Sequence, residues 1–135
     1  MPATPEAIAT AVSACRAADD KQAGDLVVLD VADLLTLVDV FVIATARTDR
    51  QLKAVAEGVE ERLRGDHGVR PLRREGPVES GWVLLDFGDV VCHLFDQERR
   101  EFYALERLWA DVPHLDPFTG EPLMAGHLHA VRSSP

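Results

Sequence analysis

Apolar positions recur at three- and four-residue steps through the first segment, where Ile8, Ala11, Val12, Cys15 and Ala18 share one face. This spacing predicts a helix from Pro5 to Asp19 with Thr4 as its cap. After Gly24 the pattern changes. Leu26 to Val31 is nearly continuous in apolar and β-branched residues, as expected of a strand buried on both faces. A second such run, Val38 to Thr45, leads directly into Thr48-Asp49-Arg50-Gln51, a capping-box pattern that opens a helix. In that helix Leu52, Val55, Ala56, Val59 and Leu63 form the apolar stripe, with Gly65 as the expected stop.

A weaker extended stretch, Val69 to Arg74, contains Pro71 and belongs at a sheet edge. Trp82 to Asp86 and Val90 to Phe95 flank Phe87-Gly88, which predicts an antiparallel hairpin. With Phe87 and Gly88 as the loop, Asp86 faces Asp89, Leu84 faces Val91 and Trp82 faces His93. These residues then share one sheet face with Phe95, while Val83, Leu85, Val90, Cys92 and Leu94 share the other. A last helix, Gln97 to about Ala110, stops at Pro113. His114 to Pro135 holds three prolines, three histidines and two glycines without periodicity and reads as a mobile tail. The expected architecture is a single α/β domain over residues 1–113, with a mixed sheet of about five strands flanked by helices, followed by a flexible tail over 114–135.

Composition narrows the function. A chain of 135 residues that is 47% apolar buries an adequate core without disulfides or metal. No apolar run reaches the roughly 20 residues that cross a bilayer, and the start lacks a signal-peptide pattern, so the cytoplasm is the expected location. Cys15 and Cys92 have no CxxC spacing and are expected to be reduced and packed. A net charge of -9 disfavours nonspecific binding to phosphate backbones and suits a basic protein partner.

The residues offer little chemistry. The turn from Ala46 to Asp49 lacks the glycine that brings backbone amides onto a phosphate. Asp86-Phe87-Gly88 matches the metal-binding triplet of protein kinases, but no other motif of that family is present. Asp86 and Asp89 have no third oxygen ligand at a readable spacing. His93 and Cys92 point to opposite faces of one strand and form no dyad. His127 and His129 have no further metal ligand beside them. A cofactor is not expected. What stands out is a surface of Trp82, Leu84, Val91, His93 and Phe95 on the hairpin, with Tyr103 and Trp109 on the last helix; its large aromatics are typical of hot spots, and the whole pattern is equally that of a core.

The order of motifs carries more than any one of them. Asp39 to Thr45, Thr48-Asp49-Arg50-Gln51, Glu75-Gly76, Trp82 to Phe95, Arg100-Glu101-Phe102-Tyr103 and Leu105-Glu106-Arg107-Leu108-Trp109 resemble, in that order, the ribosomal silencing factor family, also called Iojap or RsfS. The resemblance runs from about Thr4 to Pro113. It implies a fold related to nucleotidyltransferases without their catalytic carboxylates, and a protein that is not an enzyme. It further implies binding to ribosomal protein fourteen of the large ribosomal subunit and a steric block to subunit joining when nutrients are scarce. No membrane and no sequence-specific nucleic acid partner is implied. Carried onto this chain, the contact surface comprises Trp82, Leu84, Phe87, His93, Tyr103 and Trp109, with Asp86, Asp89 and Glu106 adding charge complementarity. Val40, Ala46 and Phe87 stand where the family often has an aromatic residue, a glycine and a tyrosine. A nucleotidyltransferase-like enzyme and a homodimeric scaffold that uses the same patch are the competing readings.

Overall fold

The computed structural model describes residues 1–103, 105 and 110–123. Helix α1, Pro5–Asp20, begins where the Thr4 side chain accepts a hydrogen bond from the Ala7 amide at 3.1 Å. Its buried face is built from Ala7, Ala11, Ala14, Cys15 and Ala18, and such small side chains let a helix axis lie close to a sheet. Helix α2, Asp49–His67, is capped by Thr48, which accepts from the Gln51 amide at 3.0 Å. Gln51 in turn accepts from the Arg47 amide and donates to the carbonyls of Lys21 and Gln22, tying the start of α2 to the end of α1. The helix does not stop at Gly65. It continues to His67 and closes on Gly68 in the left-handed conformation, because an interior glycine costs a helix only about 1 kcal/mol whereas a positive φ ends it.

Among the described residues six strands form one mixed sheet in the order β3-β4-β5-β2-β1-β6. They are β1 Gly24–Asp30, β2 Val40–Ala46, β3 Arg73–Glu75, β4 Trp82–Asp86, β5 Val90–Asp96 and β6 His114–Leu115. Only β2 and β5 run parallel, paired from Val40↔Val90 to Ala46↔Asp96. Helices α1 and α2 cover one face, over Val28, Val42, Ala44, Leu85, Cys92 and Leu94. The other face holds a smaller core of Val27, Leu29, Val31, Ile43 and Phe95, with Trp82, Phe41, Leu105 and Val112 packed around it. Helix α3, Gln97–Tyr103, enters this face directly from β5. Among the described residues no helix is long and apolar enough to cross a membrane.

Two further expectations change. The sixth strand comes from the segment read as a mobile tail: Leu115 pairs with Val28 and His114 with Leu29. The chain then turns at Gly120, and Arg16 of α1 donates to the Phe118 carbonyl at 2.9 Å. A two-residue strand has no alternation to read, so tertiary pairing alone creates it. Residues 124–135, including His127 and His129, lie outside the described residues.

The hairpin register changes as well. Trp82 pairs with Phe95, Leu84 with His93 and Asp86 with Val91, and the Phe87 amide donates to the Val90 carbonyl at 2.9 Å. The two-residue loop is therefore Gly88-Asp89, with Gly88 at φ +97. Because the shift is two residues, each strand keeps its faces. Phe87 leaves the loop and joins Val83 and Leu85 under the helices, 7% exposed. Replacing it, Phe87→Ala, is expected to lower the unfolding free energy by about 3 kcal/mol, the scale of a buried Phe truncation. Urea unfolding reads this directly, and a loss below about 1 kcal/mol contradicts the assignment of Phe87 to the core.

Candidate docking site

The alternation of β4 sets the site. Val83 and Leu85 point under the helices and are fully buried, so Trp82, Leu84 and Asp86 project from the opposite face, each half-buried. Beside them the chain before β4 folds back over the strand. Gly76 lies so close that a Cβ there would sit 2.0 Å from the Trp82 carbonyl oxygen, and its φ is +89; only glycine permits the approach. The 3₁₀ turn Val78–Ser80 follows, and the Ser80 hydroxyl donates to the Pro77 carbonyl at 2.7 Å. The result is an open groove of about 260 Å³ lined by Glu75, Gly76, Ser80, Trp82 and Leu84. Its apolar wall is an indole and a leucine, and its rim carries a carboxylate.

An aromatic cluster holds the indole in place. Trp82 and Phe95 have ring centroids 5.2 Å apart, and Phe41 meets His93 edge-on at 4.8 Å. Trp82 donates its Nε1–H to His93 Nδ1 at 3.3 Å. The acceptor role of Nδ1 places the imidazole proton on Nε2, which is buried and has no hydrogen-bond partner among the described residues. Burial lowers the His93 pKa from 6.5 to about 4, so the ring stays neutral at physiological pH. His93 is only 6% exposed; it stands behind Trp82 and positions it, and is not itself on the surface.

The other expected site residues divide. Asp86 accepts from the Gly88 amide at 2.8 Å and lies 3.8 Å from the Arg73 guanidinium, while Asp89 is exposed on the turn. The two aspartates no longer face each other. Phe87 belongs to the core, as above. Tyr103 ends α3, and Glu106 and Trp109 lie outside the described residues. Sequence reasoning missed Phe41, Glu75, Gly76 and Ser80 as parts of this surface; the adjacent Glu75-Gly76-Pro77 loop was a signal for a turn but not for its folding onto β4.

The remaining chemistry is already occupied. At the β2-to-α2 turn, where an α/β sheet often receives phosphate, the Arg47 amide is held by Gln51 and the Gln51 amide by Thr48. Burial raises the thiol pKa of both cysteines, that of Cys92 to about 12, so neither forms a nucleophilic thiolate at neutral pH. Among the described residues no group of three or more His, Cys, Asp or Glu side chains is placed to hold a metal ion.

The buried imidazole has a consequence for stability. Between pH 6.5 and about 4 an unfolded His93 is protonated and the folded one is not, so the unfolded state binds the extra proton and stability falls as the pH falls. The expected contribution is about 1.4 kcal/mol per pH unit across that window. Urea unfolding of wild type and His93→Gln from pH 7 to pH 4 separates it from the carboxylates: the difference between the two slopes should approach that figure, and equal slopes contradict it.

Comparison with known proteins identifies the family of the chain. A family model described as ribosomal silencing factor during starvation matches residues 4–131. The ribosomal silencing factor RsfS of Bacillus subtilis is 38% identical over 103 residues, which is 76% of this chain and 86% of the relative. A more distant mouse relative, mitochondrial assembly of ribosomal large subunit protein 1, is 33% identical over 94 residues, 66% of this chain and 40% of its own length. A crystal structure of a Chromobacterium violaceum protein superposes with a TM-score of 0.71 at 34% identity, covering 76% of this chain and 84% of that one. With the match spanning nearly the whole chain, this protein belongs to the ribosomal silencing factor family.

Proposed function

We propose that this chain docks on the large ribosomal subunit, through its ribosomal protein fourteen, and blocks joining of the small subunit by occupying the space between them. Translation is then repressed when nutrients are limiting. The observation that carries the reading is the groove beside Trp82 and Leu84, a half-exposed indole held in one orientation by His93, which is hot-spot geometry for a protein partner. The mouse relative is named for large-subunit assembly, which supports the same subunit as the target here. A net charge of -9 suits a basic ribosomal protein and speeds encounter with it.

Nothing in this mechanism requires catalysis or a cofactor. A folded chain of this length is about 35 Å across, and a body of that size seated on a joining surface excludes the opposite subunit by volume alone. Efficacy then depends on affinity and on where the domain sits, and the protein acts in the cytoplasm among free subunits.

Co-sedimentation with isolated large and small subunits, followed by light scattering of subunit joining, tests the proposal. Wild type should bind large subunits selectively and suppress joining. Trp82→Ala should weaken binding by about 30-fold or more, the equivalent of about 2 kcal/mol, while unfolding remains cooperative. Phe87→Ala, when fully folded, should bind as wild type does. Binding to neither subunit contradicts the reading, and a Trp82→Ala protein that is destabilised yet binds normally returns the indole to the core.

A further inference from the structure

Two leucines that the docking groove does not use stand out at the far end of the same hairpin. Leu34 is 57% exposed and Leu37 is 83% exposed, both on the loop that joins β1 to β2. The loop is closed at its neck, where the Val31 amide donates to the Asp39 carbonyl at 2.9 Å. Inside it the Leu34 and Leu35 amides both donate to the Val31 carbonyl. Leu35 and Val38 pack onto the second core. With Leu35 and Val38 anchored in this way, the loop presents Leu34 and Leu37 in a fixed place.

The loop is rooted on the hairpin turn. The amides of Asp39 and Val40 both donate to the Asp89 carbonyl, at 2.8 and 3.0 Å. On the other side of that turn Leu72 is 77% exposed, and a Cβ placed on Gly88 would touch its Cδ1 at 3.4 Å. Three of the most exposed aliphatic side chains among the described residues therefore surround one end of the sheet. Trp82 marks the other end of β4, four residues away, or about 13 Å along a strand.

Carboxylates frame the leucines. Asp33 has 71% of its side chain exposed and pairs with the Met1 amine. Asp39 accepts from the Thr4 amide, and Asp89 is exposed on the turn. Around a two-fold axis this loop would meet its own copy, setting aspartates against aspartates in a chain that already carries a charge of -9. The charge therefore points away from a second copy and toward a basic protein.

We propose that the Leu34–Leu37 loop is a second anchor of the docking surface, entering an apolar depression framed by lysines or arginines on a protein of the large subunit. This rests on the docking reading above and extends its footprint from the Trp82 groove to the opposite end of the hairpin. Two contact points about one strand length apart fix the orientation of the domain, which a single groove does not, and steric exclusion depends on orientation.

The test uses the full chain and isolated large subunits, with binding measured by co-sedimentation across a salt series. The double variant Leu34→Asp/Leu37→Asp should lose at least tenfold in affinity with its thermal midpoint unchanged, because neither side chain is in a core. Asp89→Lys should also weaken binding and flatten its salt dependence. The inference is overturned if the double variant binds within twofold of wild type while Trp82→Ala does not, an outcome that leaves the docking reading intact. It is equally overturned if light scattering shows the double variant converting a dimer to a monomer with subunit binding unaltered, since the loop then serves self-association. Failure of wild type to bind large subunits removes both proposals together.

Discussion

The parallel pairing of β2 with β5 is the constraint on which the rest of this structure depends. Seven consecutive residue pairs join the two strands, and both are almost entirely buried. Parallel neighbours require a crossover, and the chain between them supplies α2 before adding β3 and β4 at the outer side. That route places α2 on one face of the sheet, beside α1. The opposite face then receives α3 as the chain leaves β5, over the middle of the sheet. The strip along β4 lies at its margin, where Trp82, Leu84 and Asp86 stay half-exposed. The candidate docking site is thus the part of the second face that the topology leaves partly covered.

On that strip the protein accepts a local cost. A buried imidazole N–H with no acceptor among the described residues carries a desolvation penalty of about 1–3 kcal/mol. What accompanies it is orientation: His93 Nδ1 receives the indole N–H, and Phe41 and Phe95 close around the ring. A hot-spot tryptophan held in one rotamer loses less entropy on binding than a free one. Gly76, pressed against the Trp82 backbone, shapes the adjoining wall by the same logic, since its missing side chain is what lets the groove approach the strand.

Much of this was legible in the residues, and what was not has identifiable causes. The caps at Thr4 and Thr48 were readable because a side-chain hydroxyl before an apolar stripe has a local partner. The two faces of β4 and β5 were readable because their alternation survives a register error of two residues, even though the loop proved to be Gly88-Asp89 and Phe87 moved into the core. Strand β6 was not readable, since His114 and Leu115 acquire their role from β1 and not from any local pattern. The burial of His93 was equally hidden: one strand face looks the same in sequence whether a helix crosses it or a partner does. The resemblance identified the family, but residue roles within the patch required the packing.

A structure of this protein bound to the large ribosomal subunit, determined by electron cryo-microscopy, decides which surface docks. The β4 strip, with Trp82 and the Glu75–Leu84 groove, should face ribosomal protein fourteen, and the α1 and α2 layer should face outward into the space the small subunit would occupy. A complex in which α1 and α2 make the contact, or in which the domain lies clear of the joining surface, contradicts it.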